Sequence, residues 1–286
     1  MAKVKPGDIV KRISYGGDLL FKVVEVHEEK NLALLKGINI RVLADAPLDD
    51  LILPTKNEIR EYRINLIKTY NECLERVFYR RELEKEKNYT RNERVENGFF
   101  CMPVKVLHLD GDEDYLEICL NTYKQLEIEA VGFNISEKDQ PKNIKNLLFE
   151  FAPDILVITG HDGLLKNARD YNNVNSYRNS KFFIESVKEA RKIQPSKDEL
   201  IIFAGACQSY YEGLIKAGAN FASSPHRVFI HALDPVMVIE RVAYTPISKI
   251  ISLKEAIEAT ITGTKGIGGI ESRGKYREGL PRSPYE

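Results

Sequence analysis

The stretches Ile155-Leu156-Val157-Ile158-Thr159-Gly160-His161 and Leu200-Ile201-Ile202-Phe203-Ala204-Gly205-Ala206-Cys207 decide the fold. Each is a short apolar run that ends in small residues and then delivers a side chain capable of chemistry. Runs of this length and β-branched content, flanked by amphipathic helical patterns, read as strands buried on both faces of a parallel sheet. Open α/β sheets gather their ligands outside the carboxyl ends of such strands, so a thiol and an imidazole delivered there suggest a nucleophile with its base.

Working outward, the α/β alternation begins near residue 101. Val104–Leu109, Glu129–Phe133 and Asn220–Ala222 read as further strands, with helices over Asp114–Gln125, Gln140–Phe151, Asn179–Ile193 and Tyr210–Ala217. Val228–Ile230 and Val236–Val242 are additional apolar runs in the style of late strands. Upstream, residues 1–54 hold short β-segments separated by Gly16-Gly17, Glu28-Glu29-Lys30-Asn31 and Lys36-Gly37, the pattern of a small SH3- or KOW-like barrel; Ile38–Val42 reads as its fourth strand. Residues 55–100 form a helical, charged linker, 101–262 the α/β domain, and 263–286 a Gly/Arg-rich tail read as flexible. The tail lacks the strand and helix context of a dinucleotide fingerprint or a P-loop.

Composition narrows the function. The 286 residues are 43% hydrophobic, enough for a substantial core, and 42 basic residues balance 42 acidic ones, so no bulk field favours nucleic acid or an anionic membrane. The opening residues carry no apolar signal segment, and no run reaches the roughly 18 apolar residues of a membrane helix, which suits synthesis in the cytoplasm. Cysteines 73, 101, 119 and 207 form no paired spacing, and histidine and acidic residues do not cluster at ligand spacing; no metal and no cofactor is expected.

Cys207 and His161 are therefore the candidate catalytic pair. A cysteine in an apolar strand is commonly an inert core residue. Here it follows a complete strand and precedes polar Gln208-Ser209, and a helix from Tyr210 would bring positive partial charge to its thiolate. The backbone N–H groups of Cys207, Gly163 and Asp162 are candidate oxyanion donors. Cys73 and Cys119 fall on apolar helix positions, Cys101 on a junction, and His226 is the substitute base. No Gly-x-Ser-x-Gly elbow surrounds Ser209, Ser223 or Ser224.

A strand ending in His-x-Gly, followed one crossover later by a strand ending in Ala-Cys, resembles the caspase-like cysteine peptidases, although this chain inserts Asp162 between His161 and Gly163. Over its whole length, from Lys3-Val4-Lys5-Pro6-Gly7-Asp8-Ile9-Val10 through Thr159–Gly163 and Phe203–Ser209 to Thr264–Gly269, the chain resembles the YabG family of sporulation-specific endopeptidases. The resemblance implies a caspase-like, mostly parallel sheet covered by helices. It also implies a protease that trims spore coat and associated proteins at the developing spore coat, cutting beside arginine. Such specificity needs a carboxylate beneath the first substrate pocket. Asp110 and Asp112 rank first, ahead of Asp162 and Asp234. An arginine-directed enzyme would meet its own exposed arginines, and Arg80, Arg81, Arg91, Arg94, Arg273 and Arg277 are candidate self-cleavage positions. Two other readings remain: a glutamine-amidotransferase-like amidohydrolase, which lacks its His-x-Glu at His226 or His231, and a non-enzymatic assembly protein.

Overall fold

In the computed structural model, which describes residues 4–87, 100–166, 168–281 and 283, the chain begins with an antiparallel sheet. Its strands are β1 (Ile9–Arg12), β2 (Leu20–His27), β3 (Leu32–Gly37), β4 (Leu43–Pro47) and β5 (Leu51–Ile52), in the order β4-β3-β2-β1-β5. Ile38–Val42 is not a strand of this sheet. It forms the connection between β3 and β4 and projects away toward the α/β part, where Ile40 bridges His231 and Val42 bridges Asp162.

One helix, α1 (Lys56–Lys87), follows. After β6 (Phe100–Met102) comes the α/β alternation of β7 (Lys105–Asp110), α2 (Glu113–Gln125), β8 (Glu129–Asn134), α3 (Gln140–Phe151), β9 (Ile155–Thr159), α4 (Ser180–Ile193), β10 (Ile201–Ala204), α5 (Tyr211–Ala217) and β11 (Phe221–Ser223). These strands lie parallel in the order β8-β7-β9-β10-β11. Alternation along the strands divides the core into two layers. Val106, Val157 and Phe203 pack with α2 and with the helix α6 (Asp234–Tyr244), whereas Leu107, Ile158 and Ile202 pack with α3, α4 and α5. The strand order reverses between β7 and β9, the place where open α/β sheets gather their ligands at the carboxyl ends of the strands.

Three expectations are corrected. Val236–Val242 is helical: Asp234-Pro235 starts α6 at a position that tolerates proline, and Val236 to Ile239 are wholly buried, so an apolar run that looks like a strand is a helix surrounded by protein. Val228–Ile230 is loop. The described part of the glycine-rich tail is built into the fold: after α7 (Leu253–Glu258), β12 (Ile267–Gly269) adds antiparallel to β11, and β13 (Arg277–Gly279) pairs with β6. A side chain at Gly269 would lie 2.6 Å from the Phe221 ring, so glycine lets β12 lie flush against its neighbour.

The charged end of α1 is docked. Wholly buried Glu240 accepts bonds from Arg80 and, at 2.8 Å, from Arg81, whose guanidinium stacks 3.5 Å from the Tyr244 ring centroid; Arg241 returns a 2.6 Å bond to Glu84. Arg80 and Arg81 are therefore tied into a helix, while Arg91 and Arg94 lie outside the described residues. Replacing Glu240 with Ala strands two arginines at this joint and is expected to lower unfolding stability by about 2 kcal/mol in urea titrations. An unchanged midpoint would contradict the docking of α1 through this residue.

Candidate active site

Both sequence-selected residues sit at the carboxyl ends of adjacent strands: His161 two residues beyond β9, Cys207 three beyond β10. Gly160 matters to the first. A Cβ there would come within 2.4 Å of Glu137 Oε1, and without it the Glu137 carboxylate reaches the His161 backbone N–H at 2.7 Å. The imidazole lies between two carboxylates, with Nε2 3.3 Å from Asp112 Oδ2 and Nδ1 3.6 Å from Glu137 Oε1. Burial opposes its protonation, but bonding and charge from Asp112 and Glu137 prevail and raise its pKa above the usual 6.5. In Asp112, burial works against ionisation, yet His161 and Lys36 hold the carboxyl down to about 2.

The linked stability has two signs. The His161 contribution is full below pH 6.5 and is lost as pH rises through its raised folded value. The Asp112 contribution is present above its unfolded value of 3.8 and is lost as pH falls toward about 2.

Cys207 is wholly buried. Its Sγ accepts the Ile230 N–H at 3.0 Å, and burial raises the thiol well above its ordinary range despite that bond. The helix expected to favour the thiolate is the short α5, and burial outweighs any such help. No hydrogen bond joins Cys207 to His161 among the described residues.

The chain segment Asn39–Val42 crosses this space. Arg41 N–H donates to Ile230 O at 2.9 Å, Ala232 N–H donates to Asn39 O at 2.9 Å, and Cys207 N–H donates to Arg41 O at 3.4 Å. The Arg41 side chain is wholly buried. Its Nη1 lies 2.5 Å from Asp110 Oδ2, and its Nη2 reaches Ala232 O at 3.0 Å and Cys119 Sγ at 3.3 Å. Burial alone would raise the Asp110 pKa; the adjacent guanidinium, with His108 beside it, holds it below the carboxylate range. Tyr115 closes one side, its hydroxyl donating to Gly37 O and Ile40 O and its ring 5.4 Å from that of His161.

The four candidate aspartates thus differ in what they do. Asp110 holds a guanidinium, and Asp112 faces His161 and Lys36. Asp162 is a staple: it accepts from Gly163 N–H at 2.9 Å, Asn179 N–H at 2.8 Å, Ser209 Oγ at 2.9 Å and the Ser180 hydroxyl, locking the β9 loop to α4 and to the β10 loop. That bond takes up the Gly163 N–H proposed as an oxyanion donor, whereas the Cys207 N–H does face a carbonyl. Asp234 is bonded to Ile261, Thr262 and His231 at the start of α6. His226 is exposed, and no three metal-ligating side chains gather among the described residues. Sequence reasoning missed Arg41 and Glu137. The signal for Arg41 was available, a lone charge within Ile38-Asn39-Ile40-Arg41-Val42; Glu137 stands in a polar loop with nothing to mark it.

The family model described as YabG peptidase U57 matches residues 5–281. The chain is 44% identical over 281 residues to the sporulation-specific protease YabG of Bacillus subtilis (strain 168), covering 96% of this chain and 97% of that protein. No solved structure matches.

Replacing Asp112 with Asn removes one of the two carboxylates that hold the imidazolium. The His161 pKa is then expected to fall, read by NMR titration of its ring protons, with Lys36 left to Asp114 alone. A His161 pKa unchanged by the substitution would show that Asp112 does not govern it.

Proposed function

The chain belongs to the YabG peptidase U57 family, and from that premise we propose that it is a cysteine endopeptidase of sporulation that uses a Cys207/His161 pair and cuts beside arginine. The observation that carries this reading is the delivery of a thiol and a carboxylate-flanked imidazole to the ends of neighbouring parallel strands at one crevice. The antiparallel sixth strand beside five parallel ones supports the caspase-like description, and the β4-β3-β2-β1-β5 order supports an SH3-like N-terminal barrel. Among the described residues no helix is long and apolar enough to cross a membrane.

The Cys207 thiol passes its proton to His161 and attacks the carbonyl carbon of the bond to be cut. The developing oxyanion faces the Cys207 N–H, a donor fixed by the strand before it, so no reorganisation accompanies its charging. The protonated imidazole, favoured by Asp112 and Glu137, delivers its proton to the leaving amine. Water then releases the acyl group with His161 as base. Substrate arginine is held by Asp110, which lies wholly buried and pairs with a guanidinium through Oδ2. Asp112 and the Thr159 hydroxyl, 2.9 Å from Asp110 Oδ2, steady the pocket floor.

Peptide-bond substrates are favoured over a glutamine amide because family membership and an arginine-sized acidic pocket agree. By its relative's name the setting is the sporulating cell, and spore coat and spore-associated proteins are the proposed substrates. Among the arginines proposed for self-cleavage, Arg273 and Arg277 remain exposed.

Cleavage of arginine-containing peptides by purified protein under reducing conditions is expected to vanish in Cys207→Ala and to fall by about 10²–10⁴-fold in His161→Ala. Peptides with citrulline in place of arginine should be poor substrates of the wild type, since the uncharged isostere leaves Asp110 unpaired. Full activity in Cys207→Ala would remove the thiol mechanism.

A further inference from the structure

We propose that the Arg41–Val42 peptide bond is this enzyme's own first substrate, and that the uncut Asn39–Val42 strand holds the active site shut. The inference rests on the Cys207/His161 reading and adds to it the bond attacked and its consequence.

Four contacts place the segment as a substrate would lie. Its backbone adds as an antiparallel strand to the Ile230–Ala232 loop, through Arg41 N–H to Ile230 O and Ala232 N–H to Asn39 O. Its arginine fills the acidic pocket above Asp110. The carbonyl of that arginine receives the Cys207 N–H. The next residue, Val42, bridges Asp162, the residue after His161. The bond between Arg41 and Val42 therefore spans from the nucleophile's loop to the base's loop. With the strand in place Cys207 is wholly buried and His161 is 6% exposed, so an external polypeptide has no route to either.

A purely structural ion pair would account for the Arg41 charge but not for the carbonyl on the nucleophile's own N–H. Nor is the arginine fully satisfied: its Nε is buried without a partner.

The reaction balances. The Cys207 proton moves to His161 as sulfur bonds to the Arg41 carbonyl carbon; the Arg41–Val42 C–N bond breaks, and Val42 nitrogen takes the His161 proton. Water then adds to the thioester, His161 returning a proton to sulfur, and Arg41 ends in a carboxylate. Once cut, the Asn39–Arg41 end is no longer fixed to Val42 and is held in the crevice by its own contacts alone. The cut falls in the turn between β3 and β4, whose pairing from Leu32↔Pro47 to Lys36↔Leu43 still holds the two pieces of the sheet together. Nicking thus opens the crevice without requiring the barrel to come apart.

The test is a time course of freshly purified wild type in reductant at neutral pH, followed by intact mass and N-terminal sequencing, alongside hydrolysis of a fluorogenic arginyl peptide. A tethered occupant acts at about millimolar effective concentration, so a micromolar peptide should be cut at least about tenfold faster once the strand is severed. The expected result is a new Val42 N-terminus that forms at a rate independent of a tenfold dilution, a matching lag in peptide hydrolysis, and neither event in Cys207→Ala. If Cys207-dependent peptide hydrolysis runs from the first moment while Arg41–Val42 stays intact, this inference is overturned and the catalytic reading stands. If neither chain nor peptide is cut, both fall. The measurement needs only wild type to fold.

Discussion

One wholly buried charge pair, Arg41 on Asp110, anchors the N-terminal sheet to the α/β part, with the pairs of Lys36 on Asp112 and Asp114 beside it. Arg41 is supplied by the turn of the N-terminal sheet and Asp110 by the end of β7. Burying two charges is costly, and such a pair persists only where further bonds complete it. Asp110 also accepts from Thr159 and from the Asp112 N–H, and Arg41 from its second amino group reaches Ala232 O and Cys119. Removing one partner of a pair like this costs about 3–5 kcal/mol because the other charge is stranded. The turn of the N-terminal sheet, the Ile230–Ala232 loop and the buried Cys207 all meet where this arginine is seated.

The surrounding site is built to be rigid around that arginine. Asp162 fastens the His161 loop to α4 and to the Cys207 loop through four bonds, which explains why an aspartate intervenes between His161 and Gly163. The sheet reversal between β7 and β9 brings Asp110, Asp112 and His161 to one crevice. Asp112 and Glu137 favour a protonated imidazole while burial keeps the Cys207 thiol un-ionised, and in the proposed mechanism the imidazolium serves the amine leaving group.

The central sheet was legible because its strands are buried on both faces, so Ile155–Thr159 and Ile201–Ala204 announce themselves as uninterrupted apolar runs. The same rule misled at Val236–Val242, where Val236–Ile239 is an uninterrupted, wholly buried apolar run inside a helix and reads locally as a strand. Glycines 266, 268 and 269 suggested flexibility, yet here they allow close approach to β11 and Ile230. His161, Cys207 and Asp110 stood out as candidates because each closes or follows a strand. Arg41 and Glu137 were not, because their parts in the site come from packing between distant segments: Arg41 is 69 residues from Asp110, and Glu137 is 24 from His161. Local pattern carries no record of such pairings.

If the Asn39–Val42 strand holds the site shut, Arg41 on Asp110 and access to Cys207 exclude one another. The most direct measurement is the rate at which an arginyl chloromethyl ketone alkylates Cys207, followed by intact mass and peptide mapping in the uncut wild-type chain and in Arg41→Gln. Slow labelling of the wild type and faster labelling of the variant, both confined to Cys207, is the predicted result. Equal rates in the two proteins, or an adduct elsewhere, would contradict it.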